Sequence, residues 1–123
     1  MAYLIHVPKK KNYFYPLRTV SYINYMPYGL IPIAAYANDN GYFTKIIHLG
    51  LEEMLNSDYD IQQDIIREHP KIIGLSLHWH YSSYDVIELA RKIKNNNKEI
   101  VIVLGGGTQL LFLLQKSWNS LNL

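Results

Sequence analysis

Short apolar runs alternate with longer amphipathic stretches along this chain, and the alternation predicts strands and helices in turn. Tyr3 to Val7 is a brief apolar run ended by Pro8, too short for a helix and suited to a buried first strand. Residues 8 to 28 carry three prolines, the triplet Lys9-Lys10-Lys11 and five tyrosines without a period, which predicts a long connection. From Gly29 to Asn40, Ile33, Ala34, Tyr36 and Ala37 form the apolar face of a first helix, with Pro32 in its opening turn and Asn38-Asp39-Asn40-Gly41 as its stop. Phe43 to Leu49 is the second strand, closed by Gly50. Asp58 to His69 predicts a helix with Ile61, Ile65 and Ile66 toward the sheet and Pro70 just beyond its end. Lys71 to Leu77 is the third strand, Ser83 to Lys94 the third helix, and Glu99 to Leu104 the fourth strand, running into Gly105-Gly106-Gly107.

This β-α-β-α-β-α-β order, with strands rich in Ile and Val, predicts an α/β fold. The expected form is an open parallel sheet covered on both faces through right-handed crossovers, flavodoxin-like or Rossmann-like, with strand order 2-1-3-4. The carboxyl ends of all four strands then share one edge, where open parallel sheets bind ligands. Those ends are His6 with Val7, His48 with Leu49 and Gly50, Ser76 to His80, and Gly105 to Gly107. In Ile72-Ile73-Gly74-Leu75-Ser76-Leu77-His78-Trp79-His80 an apolar run breaks into small and polar residues as the strand emerges. Ser82 and Ser83 can cap the following helix, Asp85 falls in its first turn, and Val86, Ile87, Ala90 and Ile93 recur at helical spacing. Ser76 to His80 is therefore a strand-to-helix binding loop. The three glycines let a ligand approach the backbone closely while their N–H groups stay able to donate.

Composition narrows the chemistry. With 123 residues and 49% apolar content, the chain can bury one core, as one domain or a piece of one. A net charge of +2 spread over a loop and a helix face is a solvated surface and not a nucleic-acid footprint. Cysteine is absent, which excludes a disulfide framework, a thiolate zinc site, a thiol nucleophile and a cysteine-held iron–sulfur cluster. No secretory pattern stands at the start, and no apolar run approaches the ~20 residues of a membrane span, so no membrane partner is expected and a cytoplasmic location is. The glycines follow the fourth strand and lack a following Lys-Ser or Lys-Thr, so neither the dinucleotide fingerprint nor a Walker loop is present. Ser76 lacks the second glycine of a nucleophile elbow. A small metal-dependent enzyme using His48, His78 and His80 is an alternative, since imidazoles bind zinc, but no HExxH accompanies them.

Pro27-Tyr28-Gly29-Leu30 opening a helix, Asn40-Gly41-Tyr42 before a strand, Gly74-Leu75-Ser76-Leu77-His78-Trp79-His80, and Val103-Leu104-Gly105-Gly106 together resemble the cobalamin-binding domain at the N-terminus of many radical SAM proteins. The resemblance covers most of residues 2 to 108. It implies cobalamin as cofactor, its nucleotide tail lined by Ser76, Leu77, His78, Gly105, Gly106, Gly107 and Thr108, with no catalytic residue in this chain. The wider family carries an Asp-x-His-x-x-Gly motif whose histidine coordinates cobalt, and the matching Asn24-Tyr25-Met26-Pro27-Tyr28-Gly29 has neither Asp nor His. The radical SAM cluster needs a C-x-x-x-C-x-x-C motif, absent here, so the family's reaction would belong to a radical SAM domain that this chain lacks.

After Thr108 the pattern breaks. Residues 109 to 123 contain Leu110-Leu111-Phe112-Leu113-Leu114 without an amphipathic face, whereas the resemblance implies Gly-Gly-x-Thr-Ala-Ser-Phe-Phe and a charged helix. The expected organisation is a cobalamin-binding-like domain over residues 1–108 and an atypical tail over 109–123, explained by a frameshift that truncates the protein before the barrel. A stand-alone interaction domain burying Leu110 to Leu114 against another chain is the third reading.

Overall fold

The computed structural model describes residues 1–8, 28–77 and 83–106. The connection at 9–27, the residues His78, Trp79 and His80, and the tail from Gly107 onward lie outside the described residues. The elements in chain order are β1 (Ala2–His6), α1 (Leu30–Asp39), β2 (Thr44–His48), α2 (Leu49–Leu55), α3 (Ile61–Glu68), β3 (Ile72–Ser76), α4 (Ser83–Asn96) and β4 (Val101–Gly105). The four strands form one parallel sheet in the order β2-β1-β3-β4, as the alternation predicts.

Helices α1 and α3 end where their sequence stops them. Gly41, at φ +81°, lets Tyr42 N–H donate to Ala37 O at 2.9 Å and Gly41 N–H to Asn38 O at 3.0 Å, so a Schellman turn closes α1. The Asn38 side chain then clamps the start of β2, its Oδ1 accepting from Thr44 N–H at 2.8 Å and its Nδ2 donating to Thr44 O at 3.2 Å. Asp60 caps α3 by accepting from Gln62 N–H at 3.0 Å, and His69, in the left-handed region at φ 47°, ends it before buried Pro70.

Alternate strand residues divide the sheet into two unlike faces. On one, Tyr3, Ile5, Ile47, Ile73 and Leu75 pack with Ile61 and Ile65 of α3 and Val86 and Ile93 of α4 into the core. The other carries Leu4, Ile46, Gly74 and Val103 in register, with α1 against β2 through buried Ala34.

Three local expectations need correcting. Gly50 does not close a strand into a turn but is buried inside α2, a helix the alternation did not reveal. Its start is fixed by His48, whose Nδ1 accepts Leu51 N–H at 3.3 Å, a capping role that histidine seldom signals in sequence. Ile66 is 59% exposed and so does not face the sheet, because Ile61 and Ile65 already supply the inward stripe of α3. On α1 only Ala34 of the expected face is buried, Ile33 and Tyr36 being exposed at 56% and 73%.

Candidate ligand-binding site

Parallel register brings the carboxyl ends of the strands abreast. His48, His6, Ser76 and Gly105 stand in one row across β2, β1, β3 and β4. His6, His48 and Ser76 are all buried, which is unusual for three polar side chains on adjacent strands. They are paired among themselves. His6 Nδ1 lies 3.2 Å from Ser76 Oγ, and the His6 and His48 rings lie 4.6 Å apart, tilted by 54°. Because His48 Nδ1 accepts a backbone N–H, its neutral ring carries the proton on Nε2.

One step back along each strand on the same face lie Ile46, Leu4, Gly74 and Val103. Gly74 makes a depression there. A Cβ built on it would meet Leu4 Cδ2 at 2.7 Å, so no side chain fits without moving Leu4. Leu4, Gly74 and Val103 floor a cleft of about 480 Å³, and Leu30 and Ile33 of α1 form its wall. His6, Ser76, Gly105 and Gly106 line it at the carboxyl edge of the sheet. Gly106 takes φ +126°, a conformation that side chains other than glycine rarely adopt. The volume suits a small-molecule or cofactor fragment, and a mostly apolar lining with a few convergent polar groups is the usual form of such a site.

The sequence-derived residues are partly gathered here. Ser76, Gly105 and Gly106 line the cleft. Leu77 packs instead in the core on the other face, and its N–H donates to Gly105 O at 2.6 Å, which holds the end of β4 beside β3. His78, Gly107 and Thr108 lie outside the described residues, as does His80. Among the described residues no group of three or more His, Asp or Glu is arranged to hold a metal, and no helix is long and apolar enough to cross a membrane.

Sequence reasoning missed Leu4, Gly74 and Val103 as lining residues. The available signal was the strand period, since counting back by two from Ser76 and Gly105 reaches Gly74 and Val103. It also did not single out His6 as the partner of Ser76, which only the register between β1 and β3 discloses.

A second polar cluster lies on the opposite face and ties β1, β2 and α3 together. Lys45 Nζ donates to Glu68 Oε1 at 3.2 Å and sits 5.6 Å from the Tyr3 ring centre. Arg67 pairs with Asp64 and, at 3.3 Å, with Glu68. The Glu68 carboxyl is held below the usual carboxylate range, first by the hydrogen bond from Tyr3 and then by that from Lys45. Burial raises the Tyr3 phenol above its ordinary range, with Glu68 adding to the effect. These groups are remote from the cleft and fasten the sheet to α3.

Comparison with known proteins gives one family. A sequence model described as the B12 binding domain matches residues 16–111. No curated protein and no solved structure matches the chain.

Proposed function

This chain belongs to the B12-binding domain family, and from that premise we propose that it is a cobalamin-binding module whose cleft beside Ser76 receives the cofactor's nucleotide tail. The observation that carries the reading is the cleft itself, a trough over Gly74 that ends at a buried serine and two glycines on the carboxyl edge of a parallel sheet. A flat aromatic base needs a floor without side chains, and Gly74 supplies one between Leu4 and Val103. Its heteroatoms need a partner in an otherwise apolar trough, and Ser76 supplies a hydroxyl. The backbone at Gly105 and Gly106 leaves space for the linking ribose and phosphate, with Leu77 fixing Gly105. His78, Gly107 and Thr108 complete the proposed contacts.

When bound, cobalamin supplies organometallic cobalt chemistry, and this chain's residues would hold its tail. No catalytic residue is assigned to the chain. A catalytic radical SAM domain, with its three cysteines, would be a separate unit, because this sequence contains no cysteine. A cytoplasmic setting fits that chemistry.

Titration with hydroxocobalamin, followed by gel filtration, tests the binding. The expected result is a change in the corrin absorbance bands and corrin eluting with the protein, and the absence of both refutes the reading. The coding DNA beyond Thr108 tests the radical SAM association and the frameshift together. A second frame that encodes Ala-Ser-Phe-Phe and then a three-cysteine motif supports them, and its absence removes them.

A further inference from the structure

The cleft has a helix along one side only. Helix α1 packs chiefly on β2, and its Leu30 and Ile33 wall the cleft from there. Toward β4 the same face stays open among the described residues, with Ile72, Val101 and Val103 at 45%, 55% and 51% exposure. The open part spans β3 and β4, neighbouring strands about 4.8 Å apart, so its width suits one further segment of chain. Leu4, Ile72, Gly74, Val101 and Val103 bring no polar side chain to it.

The sequence places a matching segment beside this face. Strand β4 ends at Gly105, and Gly106 still lines the cleft. The fourth residue after Gly106 begins Leu110-Leu111-Phe112-Leu113-Leu114, large apolar residues in succession. Four residues span up to about 14 Å, whereas Leu4 lies two strands from β4, about 10 Å away. The run is therefore long enough to turn back from Gly106 and cross Val103 and Gly74 toward Leu4. Lys116 is the one charged side chain from Gln109 onward and falls beyond the run, so no charge in the run opposes an apolar surface. Tethering favours this occupant over a second chain. A segment joined by a few residues meets its own cleft at an effective concentration on the order of millimolar, far above that of another chain in micromolar solution.

We infer that residues 110–114 fold back over the cleft of their own chain and cover Val103 and Gly74 when no ligand is bound, so that a ligand entering the cleft must displace them. The covering rests on the sheet and the sequence alone; the displacement rests on the cobalamin-binding reading.

The chain contains no cysteine, so introduced pairs report the contact without background. In the full chain, Val103→Cys is combined in turn with Leu110→Cys, Leu111→Cys, Phe112→Cys, Leu113→Cys and Leu114→Cys, and disulfide formation under mild oxidation in dilute solution is followed by intact mass. Val101→Cys serves as a second anchor on the same face, so misfolding of one anchor variant does not shield the inference. Ile66→Cys, exposed on α3 over the opposite face, is the control anchor. At least one pair with Val103→Cys or Val101→Cys should close within single chains about tenfold or more faster than its Ile66→Cys counterpart. Excess cyanocobalamin should slow that pair about fivefold or more and leave the Ile66→Cys series unchanged. Equal rates in the two series, or disulfides that join two chains instead of closing one, would overturn the covering. A preferred pair that closes as fast with cyanocobalamin retained on the protein as without it would overturn the displacement. If the wild-type chain retains no corrinoid, the cobalamin-binding reading falls and the displacement with it, while the rate ratio still decides the covering.

Discussion

Replacing Gly74 with alanine puts one methyl group where the cleft floor is lowest. The added carbon would lie 2.7 Å from Leu4 Cδ2, and ordinary contact begins at 3.4 Å, so the leucine must retreat by about 0.7 Å. Leu4 is only half-buried and its methyl is the end of a flexible side chain, so it can turn at an off-rotamer cost of about 0.5–1.5 kcal/mol. Against this, alanine gives the unfolded chain less freedom than glycine, which returns about 0.4–1 kcal/mol. Gly74 has no positive φ to forbid the change. The net effect on stability is therefore no more than about 1 kcal/mol, and the melting temperature should move by no more than roughly 5 °C. Binding should respond far more. The floor rises by a methyl group under the tail, and overpacking of a fitted site costs about 1–3 kcal/mol, or roughly 5- to 150-fold in affinity. Hydroxocobalamin titration beside a thermal melt checks both halves. Affinity within twofold of wild type, in a variant that melts as expected, would refute the placement of the ligand over Gly74.

Three further outcomes separate the parts of the molecule. Gly106→Ala forces a side chain into φ +126° where the cleft meets the carboxyl edge of the sheet, and chemical denaturation should show a loss of about 1–3 kcal/mol together with weakened corrinoid binding. Ile65→Ala empties a site of 0% exposure beneath the sheet and should cost about 2–5 kcal/mol in the same assay, whereas Ile66→Ala, at 59% exposure, should stay within about 0.5 kcal/mol. Glu68 has a folded-state pKa below its unfolded value, so its contribution to stability is fully present above the unfolded pKa and is lost as pH falls through the folded one. The stability difference between wild type and Glu68→Gln should accordingly be constant near neutrality and shrink below about pH 4.3, and a difference that grows on acidification would contradict the assignment.

The sheet was legible because its strands and helices differ in period and in length. The run at Ile72 to Ser76 and the helical spacing of Val86, Ala90 and Ile93 cannot be exchanged for one another. Ser76 and the glycines from Gly105 onward stood out for a related reason, since there the apolar run of each strand gives way to successive small and polar residues. The floor of the cleft was legible only strand by strand: counting back by two from Ser76 and Gly105 reaches Gly74 and Val103, but does not show that they lie side by side with Leu4. Ile and Val occupy both faces of a buried parallel strand, so alternation does not mark Leu4 and Val103 as sharing a face with Gly74. That pairing is a fact of register, and register follows from tertiary packing. Helix α2 escaped notice because Gly50 resembles a turn residue, while the group that starts the helix is the side chain of a histidine ending the strand before it.

The division of labour between the two faces explains why the site can be specialised without cost to the fold. Tyr3, Ile5, Ile73 and Leu75 are almost entirely enclosed on the core face, where Ile65, Val86 and Ile93 meet them. Apolar burial is the main favourable contribution to folding, and most of it in the described residues lies on that side. On the cleft face Ile72, Val101 and Val103 remain 45%, 55% and 51% exposed, so substitutions there forfeit little buried area. Glycine at 74 gives up side-chain packing and serine at 76 adds a polar group, but the core beneath is undisturbed because alternate residues of the same strand serve it. Ile73 and Leu75 secure β3 from one side while Gly74 and Ser76 shape the trough on the other. Period-two geometry thus lets a five-residue strand meet two independent demands. Changes confined to even-numbered positions of β3 should alter ligand selection before they alter stability, and changes at the odd-numbered positions should do the reverse.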